Sequence, residues 1–324
     1  MKKYVITILI VMLASVSAFG QTQSPPTLRI VTEDANLPSE LFYGTVKVKP
    51  LRLRPGTNVP ITIEDADFFV NQQYIDFLGR FPDQPGLAHW TSEITICNDP
   101  ASRRPDESEA QCVDRKRTNT SGAFFLSPEH QNTGYFVYRV YKGTLGRMAK
   151  YDEFMPEMRQ VARGIVVSDA LSPGVINTNK RAFVNAFVGR AEFKAIYDGL
   201  NNTQFVDKLF ETTGVMPSAA DRTALINSLS NATETRAGVV FNVVDGTRTF
   251  TGGQMEFQTT YGKAFYDKEF NAAFVLMEYF GYLRRDPDAP GYAHWLAKLN
   301  SYGNFVDAEM VRAFIVSPEF RSRF

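Results

Sequence analysis

The stretch "GRFPDQPGLAHW" at residues 79–90 reappears as "RRDPDAPGYAHW" at residues 284–295. The offset between the two copies, measured from Trp90 to Trp295, is 205 residues. Apolar residues before and after each stretch recur at the spacing of one face of a helix. Each copy therefore predicts one helix, a short loop and a second helix.

The repeated loop carries the residue types that end one helix and begin the next. Pro82 is expected to end the first helix, because a proline disfavours the α conformation at the residue before it. Asp83 is expected to cap the second helix by accepting its free backbone N–H groups. Gly86 should let the two helices approach closely, Trp90 should close the corner, and Arg80 should pair with Asp83 or with the last carbonyls of the first helix. The matching residues of the second copy are Arg285, Pro287, Asp288, Gly291 and Trp295.

Both copies also end on similar segments, "GAFFLSPEH" with Ser127 and "RAFIVSPEF" with Ser317. The first copy is longer than the second between its Trp and its Ser, and the surplus of 15 residues equals the spacing of Cys97 and Cys112. In an oxidising compartment these cysteines are expected to form one disulfide within an inserted loop. Such a loop closure stabilises the fold by about 3 kcal/mol. The alternative is a reactive thiol, but the segment has no CxxC pattern and no nearby histidine.

Two weaker copies lie between the strong ones. "YFVYRVYKGTLGR" begins one that ends at Phe193, and "FVDKLFETTGVMPSAADRTAL" begins another, with Leu225 in the place of the Trp. Four units at a spacing of roughly 60 to 70 residues predict a mainly α-helical repeat array of helix–loop–helix units. The stretch "VVDGTRTFTGGQ" at residues 243–254 is predicted to be an exposed loop before the last copy.

The segments before the first copy differ from the repeats. Residues 1–20 have a basic start, an apolar run and small residues before Gln21, the pattern of a signal peptide. The apolar run is shorter than the ~20 residues that span a bilayer, so we expect no membrane span in the mature chain; a retained anchor is the alternative. Residues 21–64 alternate apolar and polar residues between prolines and glycines, which predicts an extended or β-strand arm. Residues 65–197, with the disulfide loop, and residues 198–324 are then predicted to be two helical repeat domains.

Charge and motifs limit the functional classes. The 35 basic and 35 acidic residues balance, which argues against nucleic acid as a partner. No G-x-S-x-G, H-E-x-x-H or P-loop pattern is present, so we predict no catalytic residue and expect a protein that is not an enzyme. His89 and His294 precede the tryptophans at matching positions, but a zinc site needs more ligands than each copy offers. We therefore predict no metal ligand and no cofactor, with calcium at the acidic residues 64–67 left open.

The two strong copies resemble a bacterial repeat family, domain of unknown function 4214 (DUF4214). Its members pair an aromatic-x-x-x-Leu-Gly-Arg-x-Pro-Asp-x-x-Gly-x-x-x-Trp run with a closing Phe-x-x-Ser-x-Glu-Phe, and the resemblance covers about residues 67–130 and 272–324. The chain departs from the pattern at Arg284, where Gly is usual, and at His130, where the final Phe is usual. The resemblance implies a small helical module of secreted and cell-surface bacterial proteins, often beside calcium-binding or adhesive repeats. The family has no agreed activity and no established catalytic residues, so the resemblance transfers neither to this chain.

These observations together favour a secreted, periplasmic or cell-surface scaffold or interaction protein without catalytic activity. Its expected partners are extracellular polysaccharides or surface proteins, bound on exposed aromatic rings such as Tyr292 or those of "GYFVYRVYKG" at residues 134–143. The first alternative is an extracellular carbohydrate-active hydrolase with two carboxylates in a groove. The second is a surface-layer-type structural protein that calcium stabilises.

Overall fold

The computed structural model describes residues 27–32, 37–49, 51–165, 173–245, 247–251 and 254–324. These residues are mainly α-helical, with a small antiparallel sheet before the first helix, and both features confirm the predicted fold class. The predicted signal peptide, residues 1–20, lies outside the described residues.

The N-terminal arm forms a three-stranded antiparallel sheet. Its strands are β1 (Leu28–Val31), β2 (Glu40–Tyr43) and β3 (Val46–Val48), in the spatial order β1-β2-β3. The turn between β2 and β3 contains Gly44 at a φ of 61°, the left-handed conformation that glycine adopts without a steric penalty.

The first half of the helical body begins with α1, which continues without interruption into a π-helical turn at Tyr74–Leu78. A disulfide joins Cys97 after α2 to Cys112 in the first turn of α3, and both cysteines are buried. The helices of this half are α1 (Ala66–Gln73), α2 (Gln84–Thr95), α3 (Glu109–Leu126), α4 (Pro128–Leu145), α5 (Tyr151–Ala162), α6 (Pro173–Phe187) and α7 (Ala191–Tyr197).

The second half repeats the π-helical turn at Tyr279–Leu283, at the same offset of 205 residues from its counterpart at Tyr74–Leu78. A hairpin of strands β4 (Thr247–Thr251) and β5 (Gln254–Phe257) precedes the last copy. The helices of this half are α8 (Asn202–Thr213), α9 (Ala219–Ser230), α10 (Arg236–Val244), α11 (Thr260–Glu278), α12 (Ala289–Tyr302), α13 (Met310–Ile315) and α14 (Pro318–Arg321).

The prediction of an exposed loop at residues 243–254 is wrong. Val243 and Val244 are buried at the end of α10, and the hairpin follows them. Asp245 is also buried, and its carboxylate accepts hydrogen bonds from Arg139 (2.8 Å) and Lys180 (3.0 Å). The partners of this carboxylate lie far away in the sequence, so the local pattern of glycine and threonine gave no sign of its burial.

Buried apolar side chains form one cluster that extends from Ile63 to Phe320. At its centre the ring of Phe77 lies 4.3 Å from that of Phe125 and 5.0 Å from that of Tyr282. The cluster contains side chains from both sides of the predicted domain boundary at residue 197, and that division stays a prediction.

In each of the four copies a left-handed residue ends the helix before the loop. Gly79, Gly146 and Gly214 have φ values of 65°, 69° and 62°, and Arg284 takes the same place in the last copy at 53°. A residue in the left-handed backbone conformation turns the chain away from the helix axis and thereby ends the helix. The predicted role of Pro82 is therefore wrong, because the first helix ends at Leu78, four residues before it.

The start of the second helix is fixed by a cap and by close packing. Asp83 accepts a hydrogen bond from the backbone N–H of Gly86 at 2.8 Å. A Cβ atom at Gly86 would overlap the hydroxyl of Tyr74, so only glycine leaves room for that side chain. Trp90 packs at the margin of the core, partly buried, with its ring 5.6 Å from that of Phe124. In the second copy the corresponding residues are Asp288, Gly291, Tyr279, Trp295 and Phe314.

The arginine of the loop binds a glutamate of the closing segment, a contact we call the Arg–Glu tie. Arg80 donates to both carboxylate oxygens of Glu129, at 2.8 and 3.0 Å, whereas its nearest approach to the expected partner Asp83 is 3.7 Å. Ser127 and Ser317 cap the helices that carry the glutamates, by accepting from backbone N–H groups at 3.1 Å. The other ties are Arg147–Glu192 and Arg285–Glu319.

The Arg–Glu ties of the first and last copies should differ in strength because they differ in burial. The side chain of Glu129 is 3% exposed, whereas that of Glu319 is 46% exposed. Arg80→Ala leaves a buried carboxylate without its partner and should lower the free energy of unfolding by about 3 to 5 kcal/mol. Arg285→Ala, the matched control, should lower it by about 1 kcal/mol or less. Urea denaturation measures both values, and equal losses would contradict this account.

The buried carboxyl group of Glu278 predicts a pH dependence. In the part of the chain that the structure describes, neither of its oxygens has a hydrogen-bond partner, and burial raises the pKa of Glu278 well above its ordinary value. The folded state therefore binds the proton more tightly than the unfolded state, and stability falls as the pH rises above about 4.5.

Glu278→Gln replaces the titratable carboxyl group with a neutral amide. This should raise the free energy of unfolding at about pH 8 by about 1 kcal/mol or more. The gain should vanish near pH 4, where the carboxyl is protonated in both states. Urea denaturation as a function of pH measures the difference, and parallel curves for the two proteins would refute the prediction.

Candidate functional site

A cleft of about 280 Å³ lies between the N-terminal sheet and the helical body. The strands and their connections form one wall, and α1, α5 and the C-terminal segment form the other. We call it the basic cleft because five cationic side chains line it: Lys47, Arg52, Arg159, Arg284 and Arg323.

The cleft is positioned by the packing of the first repeat against the last. The two π-helical turns face each other, and a Cβ atom at Gly281 would overlap the ring of Phe77. The position equivalent to Gly281 in the first copy, at the offset of 205 residues, is Asp76. The last copy therefore leaves room for the close contact through Gly281, and the first copy supplies the buried carboxylate of Asp76 beside it.

The carboxylate of Asp76 holds two of the cleft arginines in place. Arg323 donates to both of its oxygens, at 2.8 and 2.9 Å, and Arg284 donates to one, at 3.0 Å. Arg323 also donates to the backbone carbonyls of Gly281 and Tyr282. These bonds fix the positions of two guanidinium groups that line the cleft.

Arg284 also binds a carboxylate from the sheet. Its guanidinium donates to Glu40 at 3.0 Å, and Lys47 donates to the same oxygen of Glu40 at 2.5 Å. Burial alone would raise the pKa of Glu40, but Lys47 and Arg284 lower it, so this side chain is ionised at neutral pH. Arg284 therefore already donates a hydrogen bond to a carboxylate within the cleft.

Arg52, another of the five cations that line the cleft, differs from Arg284 in its contacts. Its guanidinium lies 5.0 Å from the ring of Phe68, and it has no acidic partner among the described residues. Among the described residues that line or adjoin the cleft, the cationic side chains outnumber the carboxylates of Glu40 and Asp76. A cleft of one sign of charge concentrates ions of the opposite sign.

The C-terminal wall of the cleft lies in a known type of domain. Residues 247–324 match the family model described as Domain of unknown function (DUF4214). The match confirms the resemblance that the last copy of the motif indicates, and Arg284 and Arg323 lie within the DUF4214 segment. No curated protein and no solved structure matches the chain.

The residues of the repeated motif lie outside the basic cleft. They form the caps and ties of the first and last copies, the last of which lies in the DUF4214 segment, and His89 and His294 are exposed. The cleft residues were not predicted, because most of them have no counterpart in the repeat. One signal was present: Arg284 stands where the DUF4214 pattern usually has glycine.

The predicted aromatic binding surface is wrong. The rings of residues 135–141 are buried, because α4 packs against α5, α8, α10 and α11 on several sides. Tyr292 is partly buried, and its hydroxyl donates to the carbonyl of Ala272 at 2.9 Å. His130 is buried as well and takes the place of an aromatic residue, with its ring 5.8 Å from that of Phe77.

The acidic residues left open as a calcium site bind arginines instead. Arg54 donates to Asp65 at 2.6 Å and to Asp67 at 2.9 Å, and Arg117 donates to Glu64. No group of three or more His, Cys, Asp or Glu side chains that could hold a metal occurs among the residues with described positions. Nor, in that same part of the chain, is any helix both long and apolar enough to cross a membrane.

The backbone at Arg284 supplies a test of how the cleft is built. Its left-handed φ of 53° strains any residue with a Cβ atom, and the other three copies have glycine here. Arg284→Gly relieves the strain, whereas Arg284→Ala keeps it, and both remove the same guanidinium. Arg284→Gly should therefore have a free energy of unfolding about 1 kcal/mol higher than Arg284→Ala. Urea denaturation measures both, and equal values would show that the position is not strained.

Proposed function

We propose that this chain is a secreted or envelope-associated, non-catalytic binding protein whose basic cleft binds a carboxylate-bearing extracellular polysaccharide. The observation that carries the proposal is the pair Arg52 and Arg284: one guanidinium without an acidic partner among the described residues, and one that already binds a carboxylate. Arginine forms paired hydrogen bonds to carboxylates, which favours an acidic sugar as the ligand.

The size of the cleft favours a sugar over a folded protein partner. A volume of about 280 Å³ is near the lower limit of pockets that enclose small molecules. A protein interface would need a surface of about 800 Å² on each partner. One unit of an acidic polysaccharide is of the right scale, and its charge is of the right sign.

The carboxyl groups of the basic cleft support binding rather than hydrolysis. A glycosidase needs one carboxyl with a raised pKa as the acid and a second carboxyl across the sugar from it. The pKa of Glu40 is lowered, and the carboxylate of Asp76 is enclosed by two guanidinium groups. The carbohydrate-active hydrolase remains the second candidate, with the calcium-stabilised structural protein as the third.

Calorimetric titration with a short galacturonate oligomer tests the proposal on the protein without its predicted signal peptide, residues 21–324. Arg284→Gly and Arg52→Ala should each weaken binding about tenfold or more, since each removes a charged hydrogen-bond donor. Arg285→Ala is the matched control, because it removes a neighbouring arginine that is tied to Glu319 outside the cleft. It should change the affinity by less than about twofold.

Four results would count against the proposal. Failure of the wild-type protein to bind the oligomer would refute it, as would an equal loss of affinity in Arg285→Ala. Preference for an acidic peptide of the same charge would replace the polysaccharide with a protein ligand. Shortened sugar products after long incubation would instead support the hydrolase.

A further inference from the structure

A second cleft, of about 290 Å³, adjoins the basic cleft through a shared residue. Arg159 of α5 lines both clefts. Its position is set by Gly79, since a Cβ atom there would lie 2.9 Å from the Cγ atom of Arg159. Helix α5 therefore packs directly on the loop of the first repeat, and the shared arginine stands between the two clefts.

The second cleft combines an exposed ring with a cation. Phe81 is 47% exposed in a chain whose rings are mostly buried. Arg163 also lines this cleft, is exposed, and has no acidic partner in the described part of the chain. Arg80 lines it too, but the tie to Glu129 occupies its guanidinium.

The repeat fold itself does not require an aromatic residue at this place. The equivalent residue in the last copy is Asp286, whose carboxylate accepts a hydrogen bond from the backbone N–H of Tyr151 at 2.7 Å. Phe81 therefore departs from its counterpart in chemistry, since both residues are exposed and only Phe81 presents an aromatic ring. A flat apolar ring beside a guanidinium offers a stacking face to the C–H side of a sugar and a partner for its carboxylate.

We propose that the second cleft is an outer subsite that binds further units of the same acidic polysaccharide chain. Phe81 stacks on a sugar ring and Arg163 binds a carboxylate, while Arg159 marks the boundary that the two subsites share. This inference rests on the proposed function, because it takes the basic cleft as the first subsite.

Dependence of affinity on oligomer length tests the outer subsite. For the wild-type protein, calorimetric titration should show an affinity that rises about tenfold or more from a galacturonate dimer to a hexamer, because a second subsite adds contacts without a second association step. Phe81→Ala and Arg163→Ala should abolish most of this rise and leave dimer binding within about twofold of wild type. Tyr302→Ala is the matched control, since Tyr302 is an exposed aromatic residue that lines neither cleft.

The outcomes separate this inference from the proposed function. If the dimer binds and Arg284→Gly weakens binding at every length, but Phe81→Ala keeps the full rise, the outer subsite alone is refuted. A wild-type affinity that does not depend on length refutes it equally. If no oligomer binds the wild-type protein, both the outer subsite and the proposed function are refuted.

Discussion

The buried carboxylate of Asp76 is the contact on which the arrangement of the first and last repeats depends. An isolated charge in the core would be strongly unfavourable, so the contact is stable only while Arg284 and Arg323 surround it. Arg284 extends the same cluster to Glu40 and thereby attaches the N-terminal sheet to the helical body. Arg284 and Arg323 thus both contribute to the charge of the cleft and hold its walls together. A ligand carboxylate that reached Arg284 would compete with Glu40 for the same donor.

The Arg–Glu ties show a similar constraint within three of the four repeats. Three copies keep both members, and the third copy has replaced both, with Val215 in the place of the arginine and Ala237 in the place of the glutamate. Loss of the arginine alone would leave a carboxylate without its partner, which costs more than loss of the pair. The tie therefore behaves as a unit of two residues, and the closing Ser-Pro-Glu segment is repeated because it carries one of them.

The sequence predicts those parts of the fold that depend on neighbours in the chain. Asp83 caps a helix by binding the N–H group three residues later, and a local pattern is enough to show it. Glu129 lies 49 residues from Arg80, and Asp76 lies 208 residues from Arg284, so neither partner could be inferred without the fold. The prediction that rings of α4 are exposed is wrong for a related reason. A helix that is enclosed by several others has apolar residues on all sides, and their spacing alone does not show which of them are exposed.

The departures of one repeat from the others are more informative about function than the repeated residues are. A repeated residue is explained by the fold that every copy shares, as Asp83 and Asp288 are by helix capping. Arg284 stands in a left-handed position at a cost in strain that glycine avoids in the other copies. Phe81 exposes a ring where Asp286 makes a backbone hydrogen bond. Folding of the repeat explains neither residue, and both lie in clefts beside Arg159, which is where a function specific to this chain should be sought.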